Sequence, residues 1–524
     1  MNELPTRPPR QARRFPLSFV WIASTFAFCL LFVLASVPPA RAENADQGGS
    51  VAESRRYALI IQNVFDFVQR HYVDEVEAKK LYEGAMKGMF EALGDPHSVF
   101  LAESDMADLN DTTQGSFGGV GLYITKPTEP PKDGRPAWVE VASPIEDTPG
   151  WRAGINPGDF IVSIDGESTE PLTMDQVLAR LRGVPGTEVQ ILIRRGDKLE
   201  FPVKLTRAVI EVPTVKSAMI GDIGYLRITT FTPMTTERVG DALESFNAKN
   251  AKAVVVDLRN NYGGLLQAAI GVSDFFLDGG VVVSTKSRIP GENAVFTAKS
   301  KTIISKDVPV VVLINRGSAS ASEIVAGALK DRGRAYLVGE KSFGKGSVQQ
   351  VYPIDAAGFK ITTSRYYTPS DVNIDKVGIP PDLEVKFPEF SDKEAESLNR
   401  LIGDAKIPAF VKAEPEASAA RTAAFVKDLA ATYQLDETLL KRLVRDERNR
   451  TTIAPVYDLE YDTQLQAAVD LLRGGRYAQL MKGAKTLKVL QDEAKTAAER
   501  AAVAEGTAGT GPAEAKTKPL APVD

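Results

Sequence analysis

The chain is predicted to be a multidomain α/β protein, and three observations carry that prediction. It has 524 residues, more than one hydrophobic core usually serves. Between residues 220 and 390 short apolar runs alternate with amphipathic stretches, the pattern of a mainly parallel sheet with crossover helices. Ahead of that core, residues 115–206 are Gly-rich and strand-like, while helical periodicity marks both flanks.

The N-terminus carries Arg7, Arg10, Arg13 and Arg14, then the 21-residue apolar run Leu17–Val37, then Pro38-Pro39-Ala40-Arg41-Ala42. A basic segment, an apolar segment and an Ala-x-Ala site read as a secretory signal over 1–42, cut after Ala42. The competing reading is an uncleaved anchor, since 21 apolar residues can span a bilayer. Either way the body is expected outside the cytoplasm, in the periplasm, and a membrane is a partner only if the segment stays uncleaved.

Residues 43–113 are expected to be helical. Leu59, Ile60, Val64, Phe67 and Val68 share a helix face, and a second helix is expected over Ala78–Leu93, closed by Gly94-Asp95-Pro96. The bland reading of this hairpin is packing or oligomerisation without chemistry. Residues 114–207 form the β-rich module, with strands at Ile161–Ile164 and Val189–Arg194, a tight turn at Asp165-Gly166 and a short helix at Met174–Leu181. The core, 208–390, is expected to have strands at Gly224–Ile228, Ala253–Leu258, Val281–Ser284, Val308–Ile314 and Ala335–Val338. Helices are expected between them at Glu237–Phe246, Leu265–Phe276 and Ala321–Lys330. Residues 391–493 return to amphipathic helix, including Ala423–Leu429 and Leu465–Leu472. The tail, 494–524, has too little apolar content to fold.

Composition excludes several classes. Beyond residue 42 there are 58 basic and 67 acidic residues, a charge of −9, which argues against nucleic acid as a partner. Only His71, His97 and Cys29 are available as His or Cys ligands, too few for the usual zinc site, and no metal or organic cofactor is expected. Neither His lies near a nucleophile-like turn, which disfavours a Ser-His-Asp triad.

The chemistry concentrates in three segments. In Val310–Ile314 followed by Asn315-Arg316-Gly317-Ser318-Ala319-Ser320-Ala321-Ser322-Glu323, a buried strand meets a helix through a turn of small residues. Such a turn presents a serine hydroxyl beside free backbone N–H groups and the positive end of a helix dipole. An ordinary N-cap uses the same residues. With no His on offer, the base candidate is Lys345, between Gly344 and Gly346. A free lysine titrates near 10.4, so bringing it to 7 or 8 costs roughly 3–5 kcal/mol, which burial can supply. Gln349, four residues on, shares its face in an extended strand and orients the amine without adding charge. Gly339–Lys345 also reads as the start of a phosphate-binding loop. However, Gly346 replaces the Ser or Thr that would hold magnesium, and Val348–Ile354 reads as strand where that loop needs helix. Asp257-Leu258-Arg259-Asn260-Asn261-Tyr262-Gly263-Gly264 ends a strand in a Gly pair. That pair is either a plain helix-start turn or half of an oxyanion hole completed by the N–H of Ala321.

Taken in order, several motifs resemble the C-terminal-processing (tail-specific) serine peptidases of bacteria and plastids. They are Tyr72-Val73-Asp74, Leu93-Gly94-Asp95-Pro96-His97-Ser98, Phe117-Gly118-Gly119-Val120-Gly121, the Asp257–Gly264 segment, Gly317–Glu323, Gly344-Lys345-Gly346, Gln349 and Gly378-Ile379-Pro380-Pro381-Asp382. The resemblance covers residues 60–390 and implies a crotonase-like α/β peptidase core with an inserted PDZ-like module and flanking helical regions. It implies Ser320 as nucleophile, Lys345 as base, Gln349 as its orienting residue, and Gly263 or Gly264 with Ala321 as oxyanion donors. It further implies that Gly119, Val120, Gly121 and Leu122 receive the carboxylate of nonpolar protein C-termini, and Arg182 is a candidate link between module and site. The helical termini are expected to build a homo-oligomer, and an adaptor protein is left open as a partner.

Overall fold

The computed structural model describes residues 47–496 apart from 107–108, 110–114, 128–135, 146, 197–198, 300–301, 388–389 and 450–454. The expected leader, 1–42, and most of the expected tail, 497–524, lie outside the described residues. The chain divides into two compact units, Met1–Met86 and Lys87–Asp524.

In the first unit, α1 (Gln47–His71) carries the predicted apolar face, and Leu59, Ile60, Val64 and Phe67 on it are exposed. Next, α2 (Ala78–Glu91) runs into the second unit and ends before Gly94, whose φ of +63° is a left-handed turn. The expected helical region is interrupted there, and resumes only at 103–106. Val99–Leu101 is a strand, β1, paired antiparallel with Lys360, Phe359 and Gly358. A three-residue strand exists only through its partner, and a partner some 260 positions away leaves no local signal.

The β-rich module follows. Its elements are β2 (Ser116–Gly119), β3 (Leu122–Thr125), β4 (Val139–Pro144), α3 (Pro149–Arg152), β5 (Phe160–Ile164), β6 (Glu167–Ser168), α4 (Met174–Leu181), β7 (Glu188–Arg195), β8 (Leu199–Thr206) and β9 (Ala208–Glu211). The sheet order β3-β4-β5-β7-β8 leaves β3 at an edge, and the module has its own core around Val139, Val141, Ile161, Val177, Ile191 and Ile193. Strands β2 and β9 pair Phe117 with Ile210, so entry and exit are zipped together and the module is a closed excursion from the chain.

The core contains β10 (Val215–Ile220), β11 (Ile223–Ile228), α5 (Thr235–Ala248), β12 (Ala253–Asp257), α6 (Leu266–Asp274), β13 (Val281–Ser287), β14 (Ala294–Thr297), β15 (Val310–Ile314), α7 (Ala321–Asp331), β16 (Tyr336–Gly339), β17 (Ser347–Ile354), β18 (Ala357–Tyr367) and β19 (Leu383–Glu384). The main sheet runs β10-β11-β12-β15-β16-β19, parallel except for β10. Its central strands are buried on both faces, and strand alternation divides their side chains. Val254, Val256, Val310, Val312 and Ile314 enter one core with α5, α6 and α7. Ala253, Val255, Val311 and Leu313 enter a second core on the opposite face. A smaller sheet, β1-β18-β13-β14 with β17 on β18, carries Lys345 at the mouth of β17.

The C-terminal helices are α8 (Asp392–Gly403), α9 (Lys406–Ala413), α10 (Ala419–Tyr433), α11 (Glu437–Arg448), α12 (Thr463–Arg473) and α13 (Tyr477–Gly483). The first four bury Leu401, Phe410, Val426, Leu429, Leu440 and Val444 among themselves. Amphipathic α12 covers the second face of the main sheet with Leu465, Ala468, Val469 and Leu471, so its apolar face is satisfied within the chain. Leu465→Ala should therefore destabilise the peptidase core itself, by about 2–5 kcal/mol for a fully buried Leu. The check is the denaturant midpoint of unfolding.

Candidate active site

The site forms where two loops at the ends of parallel strands meet the mouth of β17. After β12 the chain turns through Arg259–Gly264, and after β15 through Asn315–Ser320. They are locked reciprocally: Asn260 N–H donates to Asn315 Oδ1 and Asn315 Nδ2 donates to Asn260 Oδ1, both at 2.9 Å. Arg259 anchors the first loop from below. It forks onto Asp257 (2.9 and 2.6 Å) and Asp462 (2.7 and 2.6 Å) and reaches Gln464 Oε1, while Tyr225 donates to Asp257 at 2.7 Å. Burial would raise the Asp257 carboxyl, but Arg259 and the Tyr225 hydrogen bond hold it below the ordinary carboxylate range.

Three serines crowd the second loop and the first turn of α7, and their bonding separates them. Ser318 Oγ donates to the Leu258 carbonyl and Ser322 Oγ to the Asn261 carbonyl, both at 2.8 Å, so these two hydroxyls are spent holding the loops together. Ser320 caps α7 with φ +54° and ψ −112°, a conformation that non-Gly residues adopt only under constraint and that clusters at functional sites. Its hydroxyl meets the Tyr366 phenol; burial pushes that phenol up to about 12, against the pull of the Ser320 hydrogen bond.

Glu323, one turn into α7, is fully buried and was no more than a motif letter in the sequence. Its carboxylate accepts from Ser320 N–H (2.9 Å), Ser342 Oγ (2.6 Å), Gly344 N–H (2.7 Å) and Lys345 N–H (2.9 Å). Burial raises its pKa, and these four hydrogen bonds oppose the rise. One side chain thus ties the backbone of Ser320 to that of Lys345, 25 positions away. The lysine side chain is half-buried. Burial lowers its pKa from the ordinary lysine value and nearby Lys360 lowers it further, while Asp95 and Glu323 act in the opposite sense. Gly346 lets the loop at Asp375 approach: a Cβ there would stand 2.4 Å from Asp375 N.

The Gly pair divides its labour. Gly263 lies against the serine loop, where a Cβ would stand 2.8 Å from Ala319 O and 2.9 Å from Ala321 N. Its own N–H donates to Asn261 Oδ1 at 2.9 Å, so Gly263 is not a free donor as the sequence had allowed. Gly264 (φ +140°) is bridged to Phe231 with Phe231 N–H bound to Gly263 O and Leu265 N–H to Phe231 O. That pattern turns the Gly264 N–H away from Phe231. Among the described residues the N–H groups of Gly264 and Ala321 have no hydrogen-bond acceptor.

Gln349, on β17 opposite Thr362, donates through Nε2 to Ser347 Oγ (2.8 Å) and Thr362 Oγ1 (3.3 Å). The 94–98 turn, read as bare packing, reaches this strand pair. Thr362 Oγ1 donates to Asp95 Oδ2 at 2.6 Å, and Thr362 N–H donates to Ser98 Oγ at 3.0 Å.

In the β-rich module, Gly119 pairs with Ala208 in the β2–β9 ribbon. The carbonyls of Val120 and Gly121 accept from Gly150 N–H and Ile145 N–H, and Leu122 opens the edge strand β3. The N–H groups of Val120 and Gly121 have no acceptor among the described residues. Arg182 ends α4 with its guanidinium 4.9 Å from the centre of the Phe117 ring.

Glu323 thus joins the backbone of a hydroxyl-bearing helix N-terminus to that of a segment bearing a half-buried amine, and the β-rich module offers an edge strand, β3. Comparison with known proteins supplies the class. Peptidase family S41 matches residues 222–385, a PDZ domain matches 140–195, and the activating protease CtpB N-terminal domain matches 30–105. A carboxy-terminal-processing protease of Bartonella bacilliformis is 38% identical over 401 residues, 75% of this chain and 89% of that protein. The chloroplastic carboxyl-terminal-processing peptidase 2 of Arabidopsis thaliana is 40% identical over 324 residues, 59% of this chain and 62% of that one. The solved photosystem II D1 C-terminal processing protease is 31% identical, covering 63% of this chain and 92% of that one at a TM-score of 0.38. The chain belongs to peptidase family S41, among the carboxy-terminal-processing proteases.

Glu323→Gln keeps the shape but presents an NH2 group to donors that need an acceptor. Peptidase activity should fall by about 10- to 100-fold, the cost of displacing reacting groups by roughly an ångström. Steady-state cleavage rates, with circular dichroism to verify the fold, check this.

Proposed function

We propose that the protein is an exported serine endopeptidase that cuts other exported proteins near their C-termini with a Ser320–Lys345 dyad. The observation that supports this reading is the buried Glu323 carboxylate, which binds the backbone N–H of both residues and so joins the two segments that carry the hydroxyl and the amine. In the proposed cycle neutral Lys345 Nζ takes the Ser320 hydroxyl proton as Oγ attacks the substrate carbonyl. The N–H groups of Gly264 and Ala321 receive the oxyanion. Collapse breaks the C–N bond, and Lys345 returns its proton to the leaving amine. Water then repeats the sequence on the acyl-enzyme, and Gln349 orients the lysine. The scheme calls on no metal and no organic cofactor.

Substrate selection falls to the PDZ domain. A nonpolar C-terminus adds as a strand along β3, with its carboxylate at the loop of Gly119, Val120, Gly121 and Leu122. The free N–H groups of Val120 and Gly121 support this role. The basic, apolar and Ala-x-Ala leader supports periplasmic export. The exposed apolar face of α1 supports self-association through the N-terminal helix.

Cleavage of an unfolded polypeptide with an apolar C-terminus should be lost in Ser320→Ala and Lys345→Ala. Lys345→Arg should not restore it, because a guanidinium stays protonated. The base works only when neutral, so kcat/KM should rise with pH through the Lys345 pKa, at a pH below the ordinary lysine value. Equal cleavage by wild type and Ser320→Ala would overturn the dyad. The leaderless protein should run as an oligomer in light scattering, and Leu59→Asp with Ile60→Asp should reduce its mass to that of one chain.

A further inference from the structure

Gln349 can orient Lys345 only if something orients Gln349. An amide side chain has two near-isosteric settings, and the hydrogen-bond partners of its two ends decide between them. The partners here form a short relay. Thr362 has one hydroxyl proton, and the 2.6 Å bond to Asp95 Oδ2 takes it. The Thr362 oxygen then faces Gln349 with a lone pair, which accepts from Nε2 and not from Oε1. Ser347 Oγ accepts from the same nitrogen. With Nε2 held on that side, Oε1 is the end left to accept a hydrogen bond.

Asp95 is delivered from a distant segment. The turn before β1 folds on itself, with His97 N–H on Asp95 Oδ1 (3.0 Å) and Ser98 Oγ on Asp95 Oδ2 (2.6 Å). The pairing of β1 with β18 sets that turn on Thr362. The turn is complete without Thr362, so the contact with the catalytic strands is additional to local folding. Hydrogen bonds from Ser98, Thr362 and His97 N–H outweigh burial and keep the carboxyl below its ordinary pKa, hence ionised.

We propose that Asp95 and Thr362 are positioning residues of the peptidase, fixing the Gln349 amide so that its oxygen faces Lys345. The proposal rests on the Ser320–Lys345 reading and adds to it a group from outside the core. Asp95 also contributes charge. Among the described residues, the charged groups acting on Lys345 are Lys360 from β18, Asp95 from the turn before β1 and Glu323 from α7, and the Tyr366 phenol stands beside Ser320. Removing the Asp95 charge makes the amine easier to deprotonate.

The test is steady-state cleavage of a quenched fluorescent peptide with an apolar C-terminus, across pH, by the leaderless protein. Thr362→Val should lower kcat about tenfold with KM unchanged, and Thr362→Ser should restore it. Asp95→Asn should move the acid limb of kcat/KM to lower pH, a change that a purely structural role would not produce. Wild-type kcat in Thr362→Val alongside a reduced kcat in Gln349→Ala would overturn the proposal and leave the dyad standing. So would a folded Asp95→Asn with an unmoved limb. Full cleavage by Ser320→Ala would overturn the underlying reading itself. If Asp95→Asn does not fold, the Thr362 pair decides alone.

Discussion

A carboxylate with no exposed surface is costly to bury unless every lone pair finds a donor. Glu323 meets that condition with four donors from two segments, and the geometry of the site depends on it. The constraint works in both directions. The helix places Glu323 where Ser320 needs a partner for its N–H, and the carboxylate draws the Ser342–Lys345 segment onto the helix N-terminus. Ser342 Oγ also accepts from Ile379 N–H at 2.6 Å, so the 374–379 loop is held by the same hub. An apolar residue at 323 would leave four buried donors unmet, and a shorter acid would not span the gap.

Around that hub the two loops have different strengths. The serine loop is fastened by side chains: Ser318, Ser322 and Asn315 all bond across to the Leu258–Asn261 backbone or side chains. The glycine loop is fastened from outside, by Arg259 on Asp462 and Gln464. Small residues in the serine run therefore serve the fold as much as a substrate. They allow the loops to approach until Gly317 lies against Asn260, where a Cβ would stand 2.8 Å from Asn260 Cα.

Much of this was legible in the amino-acid order, and the parts that were not share a cause. Strands 253–257 and 310–314 were readable because both faces of the sheet are covered, which demands an unbroken apolar run. The helix expected at 174–181 is found there, and the structure adds its Thr173 cap. Strand β18 was not: Ala357–Tyr367 mixes Lys, Thr, Ser and Arg with aromatics, and its pairing with β1, β13 and β17 stabilises it. Ser320 and Lys345 stood out by residue type. Glu323 and Asp95 did not, because their roles exist only once residues 22 and 267 positions apart are joined. The helix at 463–473 was legible as amphipathic, but its target, the second face of a sheet already covered on the first, was not.

The Arg259–Asp462 fork has a consequence for biosynthesis. The arginine emerges 203 residues before the carboxylate that completes its coordination. Until that late segment arrives, the guanidinium has one acid partner and the second face of the main sheet is bare. No chain can therefore complete the anchor of its glycine loop, or cover that face, until nearly all of it has been made.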